Sequence, residues 1–296
     1  MKVTRLPDVE RRPRRVAVGT FDGVHRGHRE VIRGADTVVT FDPHPLSVIA
    51  PPRAPLLLTT LERKAELVAG LGVEELVVVP FDAEFAERSA QRFLDEVLAG
   101  ALCATHVSVG ENFRFGHGAK GDPALLRADG RFETRVAPLL EVDGEVVSSS
   151  HIRGLVLGGA VEYADRLLGA PFAITGEVVH GDKRGRELGM PTANLVPDDA
   201  YVCPGHGVYA AWANGHPAAV NVGVRPTFAT GRGLLVEAHL IGFDEDIYGE
   251  ILRIAFLDRL RGERRFESVD ELVEQMNRDV EEAKRITGSR TAQPGT

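Results

Sequence analysis

The stretch GTFDGVHRGH, residues 19–28, directly follows the apolar run at 16–18 and carries two histidines, His25 and His28, among three glycines. A short apolar run followed by such a turn predicts the end of a strand and the start of a helix. Glycines let backbone N–H groups approach a ligand, and a helix N-terminus adds partial positive charge. Imidazole N–H groups are further donors. The stretch therefore predicts a phosphate-binding turn.

Two other interpretations of the histidine pair remain open at this point. His25 and His28 could share a helix face and, with His44 of FDPHP, form a zinc site. They could also be ordinary packing or surface residues. Neither HExxH nor a cysteine pair accompanies them. Phosphate binding is favoured because it accounts for the glycines as well as the histidines.

The first half of the chain alternates strand and helix patterns around this stretch. Strands are predicted at 16–18, 37–41, 75–80 and 106–109, and helices at 61–71 and 90–98. Such alternation predicts an α/β domain with a parallel, Rossmann-like sheet covered by helices on both faces. Ligands of such sheets bind at the carboxyl ends of the strands, which is where GTFDGVHRGH lies.

The second half shows short strands separated by glycine and proline. They are predicted within 173–181, 207–224, 234–243 and 251–260, with a hairpin turn at Asn214-Gly215. Short strands without intervening helices predict an antiparallel barrel or sandwich. Ser268 and Glu271 form a capping-box pattern, which predicts a C-terminal helix over 268–286. The predicted organisation is a domain over 1–154, a helical connector over 155–170, a second domain over 171–288 and a disordered tail over 289–296.

Composition narrows the class of protein. The 296 residues are 43% hydrophobic and 26% charged, as in ordinary globular proteins, and the formal net charge of -8 disfavours a nucleic-acid partner. The two cysteines suggest no disulfide framework, and no apolar run is long enough for a membrane span. We therefore expect a cytoplasmic protein without membrane, nucleic-acid or obligatory protein partners.

A second candidate site is GDKRGRELGMPTANL, residues 181–195. A glycine-rich basic loop can be a plain charged turn, but this one runs into Pro-Thr-Ala-Asn, whose Thr192 and Asn194 oxygens are ligands suited to Mg²⁺. Farther along, Glu237 interrupts an apolar strand. Strand alternation could simply turn it to solvent, or it could be a general base. Arg225, in NVGVRPTF, is either structural or a ligand-binding residue.

These motifs together resemble one family. GTFDGVHRGH, TFDPHP (40–45), GENFRFGHGAKGD (110–122), VSSSHIR (147–153), the PTAN stretch and NVGVRPTF (221–228) are similar, in order, to motifs of the bacterial bifunctional riboflavin kinase/FMN adenylyltransferases, also called FAD synthetases. The resemblance runs from about residue 16 to residue 284. It implies an HxGH nucleotidyltransferase domain followed by a barrel-shaped riboflavin kinase domain.

The resemblance also implies roles for individual residues. Those implied to bind ATP for adenylyl transfer are Gly19, Phe21, Asp22, His25, His28, Asn112, Ser148, Ser149 and Arg153. Those implied to bind ATP and phosphate in the kinase site are Gly181, Lys183, Gly185, Gly189, Thr192 and Asn194, the last two also holding Mg²⁺. Glu237 is implied to be the kinase base, with His25 and His28 catalytic in the other site. Arg225 and Phe113 are implied to contact flavin.

The implied substrates and products are riboflavin, FMN, FAD and ATP. Two other functions remain possible beside the bifunctional one. A parallel crossover needs a dozen or more residues, and the segment 29–36 leaves about two helical turns before the next strand. The first rival is therefore a riboflavin kinase whose N-terminal domain has lost FAD synthesis. The second is a flavin- or nucleotide-sensing protein without turnover.

Overall fold

The computed structural model describes residues 1–180, 189–224 and 233–290. The chain divides into two compact units, Met1–Ser149 and Ser150–Thr296. Among the helices of the described residues, none has the length and hydropathy needed to cross a membrane.

The first unit is built on a six-stranded parallel sheet in the order β1-β4-β3-β2-β5-β6. Its strands are β1 (Lys2–Arg5), β2 (Arg14–Val18), β3 (Thr37–Asp42), β4 (Glu75–Pro80), β5 (Ala104–Gly110) and β6 (Glu133–Ala137). The predicted parallel sheet is confirmed. The two edge strands, β1 and β6, are absent from the prediction.

Helices cover both faces of this sheet. They are α1 (Arg26–Ile32), α2 (Pro45–Ile49), α3 (Leu61–Ala69), α4 (Ala83–Ala86), α5 (Ala90–Arg92), which continues as a π-helix over Phe93–Ala101, and α6 (Pro123–Ala128). Short 3₁₀ turns occur at Leu6–Asp8, Pro51–Arg53 and His117–Ala119, and a small hairpin joins β7 (Glu141–Val142) to β8 (Glu145–Val146). Val16 and Val18 of β2 enter the core beneath the π-helix and α6, whereas Ala17 enters the core beneath α1 and α3.

The short segment 29–36 completes a parallel crossover. Helix α1 has only seven residues and ends before Gly34, whose φ of +78° reverses the chain. Asp36 then donates its N–H to the Arg15 carbonyl at 3.0 Å, and β2 and β3 pair in parallel from Val16 opposite Thr37. The reduced length shortens the helix and leaves the strand pairing intact.

The second unit contains a closed six-stranded antiparallel barrel in the order β10-β13-β12-β11-β14-β9. Its elements are α7 (Ser149–Leu157, whose first residue belongs to the first unit), α8 (Val161–Leu168), β9 (Ala173–Val179), β10 (Ala193–Leu195), β11 (Gly207–Ala213), β12 (His216–Val224), β13 (Leu234–Leu240), β14 (Ile251–Arg261) and α9 (Val269–Gly288). The predicted barrel is confirmed. The predicted hairpin turn is confirmed too, with Asn214 at φ +45° and Gly215 at φ +84°.

Helix α9 packs on the outside of the barrel. The barrel interior holds the fully buried side chains of one strand face, such as Val220 and Val222. On the outer face, Ala219 meets Ala283 and Ile286 of α9. As predicted, the Ser268 hydroxyl caps this helix by accepting the Glu271 N–H at 3.2 Å. The apolar stripe of α9 thus holds the helix against the barrel, and the Ser268 cap stabilises its N-terminus.

A buried ion pair ties β1, β2 and β4 together at the sheet edge. Arg14 is 1% exposed and donates to the Glu75 carboxylate at 3.0 Å, while the Thr4 hydroxyl donates to its other oxygen at 2.8 Å. Burial by itself raises the pKa of Glu75, but the hydrogen bonds from Thr4 and Arg14 and the charges of Arg14 and Arg12 outweigh it, so the pKa is lowered. Glu75 is therefore ionised and partnered.

Replacing Glu75 by Ala is expected to destabilise the first unit by about 3–5 kcal/mol, because Arg14 would remain buried without its partner. Amide hydrogen exchange of peptides from β2, β3 and β4 would measure the loss. The control is Glu74→Ala at the exposed neighbouring position. Equal exchange in the two variants would contradict the assigned role of the pair.

Candidate active sites

The first candidate site lies where the sheet of the first unit changes its direction of winding. Strands β2 and β5 are neighbours, but the helix after β2, α1, covers one face and the helix after β5, α6, covers the other. A crevice forms outside the carboxyl ends of two such strands. The turn 19–28 leaves β2 there, and Asn112 and Phe113 follow β5 at the same edge.

The turn after β2 holds non-glycine residues in left-handed conformations. Phe21 has φ +47° and Val24 has φ +41°, on either side of Gly23 at φ +87°. Hydrogen bonds hold this backbone: Gly23 donates to the Thr59 hydroxyl at 3.1 Å, and Val24 donates to the Phe21 carbonyl at 3.2 Å. A Cβ on Gly19 would lie 3.0 Å from the Phe21 ring, so this glycine permits the ring to fold back. Strain of this kind is concentrated at functional sites.

The two histidines of the turn are stacked. Their ring centroids are 3.5 Å apart with an interplanar angle of 16°. His25 is the N-cap of α1, and its Nδ1 accepts the backbone N–H of His28 at 3.2 Å. Because Nδ1 is an acceptor, a neutral His25 carries its proton on Nε2. The cap thus fixes which ring nitrogen of His25 can donate to a ligand.

Gly27, between the histidines, leaves room for the His25 ring. A Cβ at this position would lie 3.2 Å from Cε1 and 3.3 Å from Nδ1 of His25. Gly27 lies in the first turn of α1 in ordinary helical conformation. The glycine therefore makes room for the imidazole and does not serve a left-handed turn.

Both imidazoles are neutral near pH 7. Burial lowers the pKa of His25 to about 4, with a smaller contribution from the charge of Arg29. Burial also lowers the pKa of His28 well below its ordinary value, helped by the nearby His25 and Lys64. Nδ1 of His28 is buried with no hydrogen-bond partner among the described residues. A neutral pair with unused hydrogen-bonding capacity suits a polar ligand.

The shifted pKa of His25 makes the stability of the first unit depend on pH. Since the pKa is about 4 in the folded chain against 6.5 for an unperturbed histidine, the stabilisation is complete above pH 6.5 and is lost as pH falls towards 4. Between pH 7 and 4 we expect wild type to lose about 3 kcal/mol more than His25→Asn, which keeps an N-cap but has no imidazole. Hydrogen exchange of β2 and β3 peptides at both pH values measures this difference. Parallel pH dependence in the two proteins would contradict it.

The zinc interpretation of the histidines finds no support in the geometry. Among residues 1–180, 189–224 and 233–290, no group of three or more His, Cys, Asp or Glu side chains could hold a metal ion. His44 is instead the N-cap of α2, where its Nδ1 accepts the Leu46 N–H at 3.2 Å. The zinc triad of the alternative interpretation, His44 with His25 and His28, therefore does not assemble among the described residues.

Asp22 and Ser149 brace the turn. The Asp22 carboxylate, 3% exposed, accepts the backbone N–H groups of Leu58 at 2.8 Å and Thr59 at 3.2 Å. Its backbone carbonyl accepts the Ser149 hydroxyl at 2.9 Å. These contacts join three segments of the chain around the predicted phosphate-binding turn.

Lys64 belongs to the same site and is absent from the sequence-based prediction. It is 8% exposed on α3, and its Nζ donates to the Thr20 carbonyl at 2.7 Å and to the Thr40 hydroxyl at 3.2 Å. Burial lowers the pKa of Lys64 against the attraction of Asp22 and Asp42. The sequence does contain a signal that Lys64 has a partner: it interrupts the apolar stripe of α3 between Leu61 and Val68, where burying an unpaired charge would be costly.

The remaining predicted residues of the first site lie on three segments. Asn112 is exposed just after β5, and Phe113 is half-buried with its ring stacked on Phe115 at 5.5 Å. Ser148 precedes α7 and is half-buried. Arg153 lies one helical turn after Ser149 on α7, within the second unit. The structure thus groups the turn, Asp22 and Ser149 by direct contacts, and it places Asn112 and Phe113 at the same sheet edge.

The second candidate site lies on the outer face of the barrel. Glu237 on β13 is half-buried, opposite Asn194 on β10 and Asn221 on β12. Asn194 is 4% exposed, its Nδ2 donates to the Thr192 carbonyl at 3.4 Å, and its Oδ1 has no partner among the described residues. Strand alternation does turn Glu237 away from the barrel interior, as the plain interpretation expects. The side chain nevertheless lies within a polar row and is not fully exposed.

Several predicted kinase residues lie outside the described residues: Gly181, Lys183, Gly185 and Arg225. So does most of the predicted tail, from residue 291 onward. Gly189 is the first described residue after 181–188, and it has φ +76°. The described part of the second site therefore consists of Gly189, Thr192, Asn194, Asn221 and Glu237.

Comparisons with known proteins assign a family to the N-terminal and to the C-terminal part of the chain. Residues 8–151 match the FAD synthetase family and residues 168–287 match the riboflavin kinase family. The bifunctional riboflavin kinase/FMN adenylyltransferase of Escherichia coli (strain K12) is 38% identical and covers 92% of each chain. The protein of the same name from Bacillus subtilis (strain 168) is also 38% identical, over 91% of each chain.

A solved structure shares the two-part fold. The crystal structure of a protein described as a macrolide-efflux protein, from Streptococcus pneumoniae, aligns with a TM-score of 0.87 at 33% identity and covers 96% of this chain and 99% of that one. The chain is a transferase of flavin cofactor biosynthesis with riboflavin kinase and FAD synthetase regions, both of which act with ATP. By its identity over nine-tenths of its length, it belongs to the family of bifunctional riboflavin kinase/FMN adenylyltransferases.

Proposed function

We propose that the two reactions take place at two separate sites, one in each predicted domain. Residues 1–154 adenylylate FMN to FAD with release of pyrophosphate, and residues 171–288 phosphorylate riboflavin to FMN. Residues 155–170 connect the two. The observation that carries the first assignment is the stacked, neutral His25–His28 pair at the crevice beside β2 and β5. The polar row around Glu237 carries the second.

Adenylyl transfer needs no protein nucleophile, because the FMN phosphate attacks the α-phosphorus of ATP directly. The protein has to align two polyanions and stabilise the charge that develops on the phosphoryl oxygens. We assign this to the Nε2–H of His25, to His28, and to the turn backbone from Gly19 onward. Ser148, Ser149 and Arg153 supply further donors and one fixed positive charge. Asp22 and Lys64 keep the turn in place.

Riboflavin phosphorylation requires an alcohol to attack the γ-phosphorus of ATP. A carboxylate that accepts the proton of the ribityl 5′-hydroxyl makes that oxygen a better nucleophile. Glu237 is the described carboxylate that lies within the polar row of the second site. Its half-buried position lets substrate reach it while its neighbours hold it.

The residues of the second site fit a Mg²⁺ ion. Asn194 presents a buried Oδ1 without a partner among the described residues, and Thr192 adds a hydroxyl two residues earlier. Both are hard oxygen donors, which Mg²⁺ prefers. When bound, the ion would neutralise phosphate charge during transfer. The glycine-rich segment from Gly181 to Gly189, with Lys183 and Gly185, would bind the nucleotide.

Flavin contacts are assigned to Phe113 in the first site and Arg225 in the second. Asn112 would contact the nucleotide next to Phe113.

The substrates are small and soluble, and we place the protein in the cytoplasm without an obligatory partner.

One time course tests the assignment as a whole. Purified protein is incubated with riboflavin, ATP and MgCl₂, and riboflavin, FMN and FAD are separated and quantified together. We expect FMN to rise first and FAD to follow. FMN without FAD would support the kinase-only rival, and no product at all would support the binding-protein rival. Repeating the assay with EDTA tests the Mg²⁺ requirement, since unchanged rates would contradict it.

A further inference from the structure

Three polar side chains form a row across adjacent strands on the outer face of the barrel. Asn194 of β10 pairs with Glu237 of β13, and Asn221 of β12 pairs with Glu237 from the other side. Directly paired residues of antiparallel strands have their Cβ atoms roughly 4.5–5.5 Å apart on one face. The carboxylate therefore lies between two amides that the strand register places there.

Of the two amides, Asn221 is the one that donates to the carboxylate. Its Nδ2 lies 3.2 Å from Oε2 of Glu237. The Asn194 Nδ2 is directed instead to the Thr192 carbonyl. The Asn221 orientation follows from electrostatics, since a flipped amide would set its oxygen against a carboxylate oxygen.

We propose that Asn221 is the positioning residue for Glu237 in the riboflavin kinase reaction. The inference rests on the proposed role of Glu237 as the base. By holding Oε2, the amide fixes the rotation of the carboxylate and directs Oε1 towards the substrate hydroxyl. Both side chains project from strands within the barrel ladder, so the pair is preorganised before substrate binds.

A neutral donor is suited to this task. An Arg or Lys opposite Glu237 would pair with its charge and make it a weaker proton acceptor. An amide gives the same geometric restraint without a full positive charge. Gly223, two residues along β12, lies beside Asn221: a Cβ there would be in ordinary contact with the Asn221 Nδ2 at 3.7 Å, and its closest approach, 3.1 Å, would be to Oε1 of Glu263.

The test compares Asn221→Ala with wild type in steady-state riboflavin phosphorylation. Loss of a hydrogen bond to a charged group predicts a fall in kcat of roughly 10- to 100-fold. The KM values for riboflavin and ATP should stay within about twofold, because the lost interaction does not bind substrate. FAD synthesis from FMN by the same preparation should be unchanged. Asn277→Ala, an exposed asparagine on α9, is the matched control and should leave both rates intact.

Two further variants make the result decisive. Asn221→Asp keeps the size of the side chain but replaces the donor with a like charge, so it should slow kcat at least as much, whether or not the Ala variant folds. In a Glu237→Gln background, Asn221→Ala should have little further effect, because the group that it positions is gone.

The outcomes distinguish failure of the proposal for Asn221 from failure of the proposed role of Glu237. If Glu237→Gln keeps full kinase activity, the proposed role of Glu237 fails. If Glu237→Gln is slow but Asn221→Ala keeps wild-type kcat, or raises KM alone, or multiplies the defect of Glu237→Gln, then Asn221 is not its positioning residue.

Discussion

Riboflavin phosphorylation by the Glu237→Gln variant is expected to fall by roughly 10² to 10⁴-fold, the usual contribution of a general base. Glutamine has the same size and can still accept a hydrogen bond through its carbonyl oxygen, but it cannot take up the proton of the substrate hydroxyl. The defect should appear in kcat, because the interaction strengthens only as the hydroxyl is deprotonated.

The chain contains its own control for this variant. Conversion of FMN to FAD, measured on the same preparation, should proceed at the wild-type rate because Glu237 belongs to the second unit. Glu245→Gln makes the same chemical change at an exposed position and should affect neither reaction. Wild-type kinase kcat in Glu237→Gln would remove Glu237 from the mechanism.

Replacement of His28 by Asn should slow FAD synthesis by roughly 10² to 10³-fold, the effect of losing one donor aimed at developing charge. The imidazole also stacks on His25, so its loss releases the second ring as well. In the combined time course, FMN should accumulate and FAD should be nearly absent.

The appropriate control is His106→Asn. His106 lies on β5 of the same unit but is half-buried, and its Nε2 lies 3.2 Å from the Glu133 carboxylate. FAD synthesis should continue in this variant, and riboflavin phosphorylation should be unchanged in both. A His28→Asn protein that makes FAD at the wild-type rate would contradict the assignment of the crevice as the adenylyl-transfer site.

The elements with strong local patterns could be predicted from the sequence. The buried strands β3 and β4 are rich in valine and other β-formers, and Asn214-Gly215 has the conformational freedom that a tight hairpin requires. The edge strands have no such pattern, because Lys2–Arg5 and Glu133–Ala137 contain few apolar residues. Their place in the sheet comes from pairing with distant strands, which a local pattern does not encode.

The same distinction applies to the two sites. His25 and His28 are visible in the sequence because their spacing and glycines form one short motif. Lys64 and Asn221 are not, since each gains its place through contacts with residues far away in the chain, Thr20 and Glu237. Asp22 shows a related limit, because its position in the motif does not reveal that its carboxylate binds the backbone at Leu58.

Gly27 has a consequence for attempts to engineer the protein for heat resistance. Exchanging a helical glycine for alanine is a standard stabilising change, worth roughly 1 kcal/mol, and an automated design procedure would select this position in α1. Here the added methyl group would press on the imidazole of His25 at 3.2 Å. A thermostability campaign that scores folding alone would thus displace the His25 ring, to which we assign a role in adenylyl transfer, and this residue should be held fixed in any such library.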